Sequence, residues 1–263
     1  MSRTHSIFRN LLATITVALL MSVAPKEAHS TATPNFCADD APTLALFIDV
    51  TTSFDKKSQL VLSEGIEKFA LNLRGGERVV LMTIEDSFSS STKIFDGCVP
   101  VCAGSGWYDW IFGSCTSGLV RLKRKEMNAA IRSGLVARLS TASNLPQSDI
   151  VRTLNESIAV IFPAGQTGTL FIFSDLIENS EYIPGKDFWQ EPNEDLIAKI
   201  QTNDLIPNLK AVDVRAFGLG RGGDNMRTPL SPEMLSKLKR FWTAFFEMAG
   251  VTEDRLTLTP TLP

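Results

Sequence analysis

The chain has 263 residues, 44% of them hydrophobic and 21% charged, with a formal net charge of −3. That composition belongs to a globular protein of one or two domains and excludes a disordered or fibrous chain. Its mildly acidic balance argues against nucleic acid or an anionic membrane surface as a partner.

Residues 1–30 read as a secretory signal: Arg3 and Arg9 form a positive start, Leu11 to Ala24 an apolar stretch, and Ala28-His29-Ser30 a small-x-small cleavage site. The apolar run is shorter than the ~20 residues of a membrane-spanning helix, so no stable span is expected after processing. Residues 31–263 then form a single domain with 23 basic and 28 acidic residues, expected in the periplasm or secreted. Cleavage removes both histidines, His5 and His29. Without imidazole there is no Ser-His-Asp or Cys-His pair, no histidine general base and no histidine-ligated zinc. Carboxylate, hydroxyl, thiol and backbone remain for chemistry, and the expectation is a binding protein rather than an enzyme.

Four cysteines persist, Cys37, Cys98, Cys102 and Cys115. An even count in an exported chain predicts two disulfides. The spacing lacks the paired C-x2-C knuckles of a four-thiolate zinc site and the C-x-x-C of a catalytic dithiol.

In chain order, Thr43 to Asp49 (TLALFID) is a continuous apolar run ending in one acid, the pattern of a buried parallel strand. A helix is expected from about Phe54 to Leu73, with Leu60, Ile66, Phe69 and Leu73 among its apolar positions and Gly75-Gly76 closing it. Arg78 to Ile84 (RVVLMTI) reads as a second buried strand, and Thr92 to Phe95, after the serine-rich turn, as an antiparallel edge partner. Residues 96–120 form a cysteine-rich insertion carrying Trp107, Tyr108, Trp110 and Phe112, read as a stapled loop whose rings either cover nearby core or form an exposed aromatic surface for a partner. Arg121 to about Leu139 is a basic helical stretch with a solvated face. Pro146-Gln-Ser148 opens another helix, capped by Ser148, with Ile150, Val151, Leu154, Ile158 and Ile161 on one stripe.

Thr169 to Ser174 (TLFIFS) is a third buried strand, followed by Asp175, and Ala211 to Phe217 (AVDVRAF) is a fourth. A short helix is expected over Asp195 to Gln201 between them. Ser231-Pro232-Glu233 starts the last helix, which turns Leu235, Leu238, Trp242, Phe245 and Met248 inward and stops at Gly250. The tail from Thr257 is either an edge strand or loose. This alternation predicts an α/β fold, a doubly wound and mostly parallel open sheet with one antiparallel edge strand. Ligands of such sheets sit beyond the carboxyl ends of the strands.

Two of those ends carry aspartates. Asp49-Val50-Thr51-Thr52-Ser53 places a carboxylate and two hydroxyls in the turn after the first strand, and Asp175 should arrive beside them. An oxygen-only set with few formal charges suits a hard cation such as Mg2+. The D-x-T-x-S turn, the later Ser148-Asp149 pair and the strand-Ser-Asp (FIFSD) together resemble the metal-ion-dependent adhesion site of von Willebrand factor type A domains, over about residues 41–250.

That resemblance implies that Thr51 and Ser53 bind Mg2+ (or Mn2+) directly, that Ser148 replaces the family's threonine, and that Asp49 and Asp175 act largely through water. It leaves Thr141 and Thr153 as alternatives to Ser148. It further implies a protein partner whose carboxylate completes the coordination. The topology places Cys37 and Cys98 at the sheet edge opposite the cation, which suggests the pairs Cys37 with Cys98 and Cys102 with Cys115 and puts the insertion away from the cation face.

Two other readings compete with the cation-dependent module. A phosphohydrolase of haloacid dehalogenase type also has an aspartate after its first strand, but its second acid is replaced here by Thr51. A metal-free envelope scaffold is the other. Gly218 to Gly223 matches G-x-G-x-x-G but follows a late strand and lacks the strand-helix-strand unit that a dinucleotide requires, so it reads as a loop in which Arg221 could meet a partner.

Overall fold

The sheet is built around β1 (Thr43–Asp49), every residue of which is buried. A computed structural model of the chain describes residues 36–38, 40–51, 56–102, 115–141, 145–163, 165–220 and 230–261. β1 is followed by α1 (Lys56–Leu71), β2 (Arg78–Ile84), β3 (Lys93–Cys98), α2 (Ser117–Thr141), α3 (Ile150–Ile161), β4 (Gly168–Phe173), α4 (Gly185–Gln190), α5 (Asn193–Thr202), β5 (Val212–Phe217), α6 (Pro232–Met248) and β6 (Leu256–Thr259). The six strands lie in the order β3-β2-β1-β4-β5-β6. All neighbours are parallel except β2 and β3. The fold is thus an open, mostly parallel α/β sheet with one antiparallel edge strand, and the tail supplies the opposite edge.

Strands apolar along their whole length need cover on both faces, and β1 and β2 receive it. On one face Ala45, Phe47, Val80, Leu170, Ile172 and Val214 pack against α3, α4, α5 and α6. On the other, Leu44, Leu46, Ile48, Val79 and Leu81 pack against Leu62 and Ile66 of α1 and Met127, Ile131, Leu135 and Leu139 of α2. β5 departs from the expected full burial. Val212, Val214 and Ala216 are buried, whereas Arg215 is exposed and Asp213 and Phe217 are only half-buried. The period-two pattern of V-D-V-R-A-F prevails, and on that face Phe217 packs only in part against the cluster of α1 and α2.

Two helix faces also sit differently from the expected stripes. Leu60 is 56% exposed while Leu62 takes the buried place on α1. On α6 the buried residues are Leu238, Phe241, Trp242, Phe245 and Phe246, and Met248 points outward. Ser231 caps α6 as expected, its hydroxyl accepting the Met234 amide at 3.3 Å. The helix ends at Gly250, whose φ of +92° is the left-handed conformation that glycine adopts without a Cβ clash. α4 is an additional short helix that seats Phe188 in the core.

Cys37 is bonded to Cys98, and Cys102 to Cys115. Cys98 lies opposite Arg78, at the amino end of β2. Cys37 precedes β1 at that same edge, so the Cys37–Cys98 bond lies at the far end of the sheet from the carboxyl rim. Trp107, Tyr108, Trp110 and Phe112 of the insertion lie outside the described residues.

Candidate metal centre

β1 and β4 are adjacent and parallel, with Ile48 opposite Phe173, so Asp49 and the Ser174-Asp175 pair leave the sheet side by side at one rim. Asp49 is almost fully buried, and both its oxygens are engaged. Oδ1 accepts the Thr51 amide at 3.0 Å and the Thr51 hydroxyl at 2.6 Å. Oδ2 accepts the Ser174 hydroxyl at 2.6 Å and the Ser148 hydroxyl at 3.3 Å. Asp175 is held from below, its Oδ1 accepting the Ile177 amide at 2.9 Å and its carbonyl accepting the Gly220 amide at 2.9 Å. Burial, and next to it the charge of Asp49, push the Asp175 carboxyl up to about 7.

Ser148 reaches this rim from a distant part of the chain because its backbone is pinned on both sides. Its amide donates to the Asn179 carbonyl at 2.9 Å and its carbonyl accepts the Asn179 amide at 3.0 Å. The Leu145 amide donates to the Thr51 carbonyl at 2.8 Å, drawing the preceding loop against the first turn. Ser148 does not cap the following helix. Asp149 holds the N-cap position of α3 without a side-chain cap bond. The cap comes from another loop: Glu178 Oε2 accepts the amides of Ile150 at 3.0 Å and Val151 at 3.1 Å. The Glu178 carboxyl oxygen there satisfies two otherwise orphaned amides at the start of the helix.

The turn joining these groups is unusual in its backbone. Leu176, fully buried, has φ of +59°, a left-handed conformation that costs a residue with a Cβ about 1–2 kcal/mol. Three contacts hold it: its amide donates to Ser174 Oγ at 2.8 Å, its side chain packs in the core, and its carbonyl accepts Trp242 Nε1 at 2.7 Å.

The structure therefore brings Asp49, Thr51, Ser148 and Asp175 to one rim. Ser53 lies outside the described residues, as does Arg221. Thr141 bonds back to Ala137 and Arg138 within α2, and Thr153 is buried against Ser91, so neither meets Asp49. The sequence shows Ser174 within the FIFSD run but gives it no role, and it does not single out Glu178, because their partners lie 125 and 27–28 residues away.

The donor set fits a hard cation. Among the described residues no three His, Cys, Asp or Glu side chains gather as a cluster, so a cation here would rest on hydroxyl oxygens beside two carboxylates. Thr51 and Ser148 give their protons to Asp49 and keep oxygen lone pairs for a ligand, which makes Asp49 the outer partner.

No family model and no curated protein matches the chain. Among solved structures it is similar to the pilus adhesin SpaC from Lactobacillus rhamnosus GG in the open conformation, at 13% identity over 85% of this chain and 28% of the adhesin, with a TM-score of 0.43. It is similar to a von Willebrand factor type A protein from Catenulispora acidiphila at 12% identity over 80% of this chain and 42% of that one, TM-score 0.43. Proximal thread matrix protein 1 of the mussel byssus matches at 12% identity over 80% of this chain and 45% of that one, TM-score 0.38. This chain spans less than half the length of each.

Proposed function

We propose that this chain is an exported binding module that uses a divalent cation, Mg2+ or Mn2+, to hold an acidic group of a protein partner. Thr51, Ser53 and Ser148 would offer hydroxyl oxygens to the cation, and Asp49 and Asp175 would hold it largely through water. A cation bound mainly by neutral oxygens keeps much of its charge, and a carboxylate from a partner can complete the coordination. The observation that carries this reading is the meeting of two aspartates at one rim with hydroxyls that point their protons at Asp49. Two like charges so placed repel, and a cation between them removes the repulsion.

The engagement of both Asp49 oxygens favours this reading over a phosphoryl-accepting nucleophile, which would present a free oxygen to substrate. The two disulfides accord with an oxidising compartment, periplasmic or extracellular. No described helix is long and apolar enough to cross a membrane.

Calorimetric titration of the oxidised protein with Mg2+ and Mn2+ tests the reading. Saturable binding that is lost in Asp49→Ala is expected. No binding, or binding that Asp49→Ala leaves unchanged, would return the protein to the metal-free scaffold.

A further inference from the structure

The six residues from Ser174 to Asn179 contact the candidate site at Asp49 and Ser148 and supply Asp175 themselves. Ser174 donates to Asp49 on the neighbouring strand, Asp175 is itself a candidate ligand, Leu176 is tied to α6 through Trp242, and Glu178 and Asn179 hold the start of α3 and Ser148. Within this segment only Ser174 contacts both the Asp49 carboxylate and the turn that carries Asp175. Its hydroxyl works in two directions at once. It gives its proton to Asp49 Oδ2 at 2.6 Å and receives the Leu176 amide at 2.8 Å. Its own amide donates to the Phe217 carbonyl at 3.1 Å, which fixes the backbone from which the side chain projects. Ser174 is almost fully buried, so no solvent molecule can take over these bonds freely.

We infer that Ser174 is a positioning residue of the cation site, a cross-strand brace that sets the Asp49 carboxylate and the Asp175 turn in one geometry before any cation arrives. This rests on the cation-dependent reading above. The hydroxyl-to-carboxylate bond is charge-assisted, the strong class of hydrogen bond, and its loss frees Asp49 to rotate about its side-chain torsions. The amide bond to the same oxygen stabilises the left-handed Leu176, and its loss lets the turn relax toward ordinary backbone. Both changes loosen the arrangement of the two aspartates, and a loose arrangement binds a cation less well because ordering it opposes binding.

The test measures Mn2+ affinity by calorimetry on the oxidised full protein for wild type, Asp49→Ala, Ser174→Ala, Ser174→Cys and Ser174→Thr. Each variant is checked for native circular dichroism at the titration temperature. Ser174→Ala is expected to weaken Mn2+ binding about tenfold or more, the effect of losing a hydrogen bond to a charged group. Ser174→Cys, which keeps the size but donates poorly, should weaken it similarly and covers the case in which the alanine variant does not fold. Ser174→Thr, which keeps the hydroxyl, should bind within about threefold of wild type. A merely structural role would lower the melting temperature of the alanine and cysteine variants while their folded fraction bound Mn2+ as wild type does, and that result overturns the inference. If wild type binds no Mn2+, or Asp49→Ala binds it unchanged, the cation reading fails and the inference falls with it. Equal weakening in Ser174→Thr and Ser174→Ala also overturns it.

Discussion

Replacing Glu178 by glutamine isolates the energetic consequence of burying an acid at the start of α3. Glu178 is fully buried, and burial, reinforced by the charge of Asp149, pushes its carboxyl from the ordinary 4.5 up to about 8 against the pull of Ser180 and of the two α3 amides. Below about pH 4.5 the group is protonated in both folded and unfolded chains and contributes no pH dependence. Between 4.5 and about 8 the unfolded chain releases this proton and the folded chain retains it. The unfolded state therefore binds fewer protons, and stability falls as pH rises. At about 1.4 kcal/mol for each unit, the loss by pH 7 is roughly 3 kcal/mol.

Glutamine keeps a carbonyl oxygen for the Ile150 and Val151 amides and has no charge to develop, so its variant should lack this component. The assay is urea unfolding followed by circular dichroism, in steps from about pH 5 to about pH 8, with disulfides intact. The two proteins should be nearly equal at the acid end, and the glutamine variant should be the more stable by roughly 3 kcal/mol near neutrality. Asp149 and Asp175, also shifted upward by burial, add a slope common to both curves, so the difference between curves is the quantity to read. Parallel curves across the range would refute the reasoning.

Three further outcomes follow from the same structure. Because burial and Asp49 hold the Asp175 carboxyl near 7, protons and cation compete for it, and Mn2+ affinity measured by calorimetry should fall several-fold as pH drops from about 8 to about 6. A pH-independent affinity would remove Asp175 from the site. Trp242→Phe deletes the indole donor to the Leu176 carbonyl and leaves a small void in the core, a loss of roughly 3 kcal/mol that thermal unfolding should show at about 2–4 °C for each kcal/mol. The Cys37–Cys98 bond spans a separation of 61 residues and Cys102–Cys115 one of 13, so chain entropy assigns them roughly 4 and roughly 3 kcal/mol. Paired serine substitutions at Cys37 and Cys98 should therefore lower the urea midpoint more than the same change at Cys102 and Cys115.

The parts of the fold that can be read from the chain are those in which one short stretch carries the whole signal. β1 and β2 stand in the sequence as unbroken apolar runs bounded by charge, and their limits agree with the structure. The stripe of α3 is equally plain, all five residues of the expected stripe being buried while Val160 of the same helix is exposed. α4 is hidden because six residues around a single buried Phe188 make too few turns to show a period. On α1 and α6 the inward face shifts by a position or two, since Leu60 and Leu62, or Phe246 and Met248, are equally apolar and only the packing partner decides between them. At the site, Asp49, Thr51 and Asp175 can be found because they end strands. Ser174 stands in the FIFSD run, but its bond to Asp49 cannot be read there, and Glu178 carries no mark at all, because a hydroxyl or carboxyl gains meaning from a partner on another strand or helix.

The run from Ser174 to Asn179 has a consequence for how this chain can change over generations. Five of its six residues each answer to a different neighbour: Asp49, Gly220, Trp242, the first amides of α3 and the backbone of Ser148. A substitution disturbs one of these attachments, but inserting or deleting a single residue shifts the frame of those that follow. Length in this stretch is therefore under tighter constraint than identity, the reverse of what surface loops ordinarily tolerate.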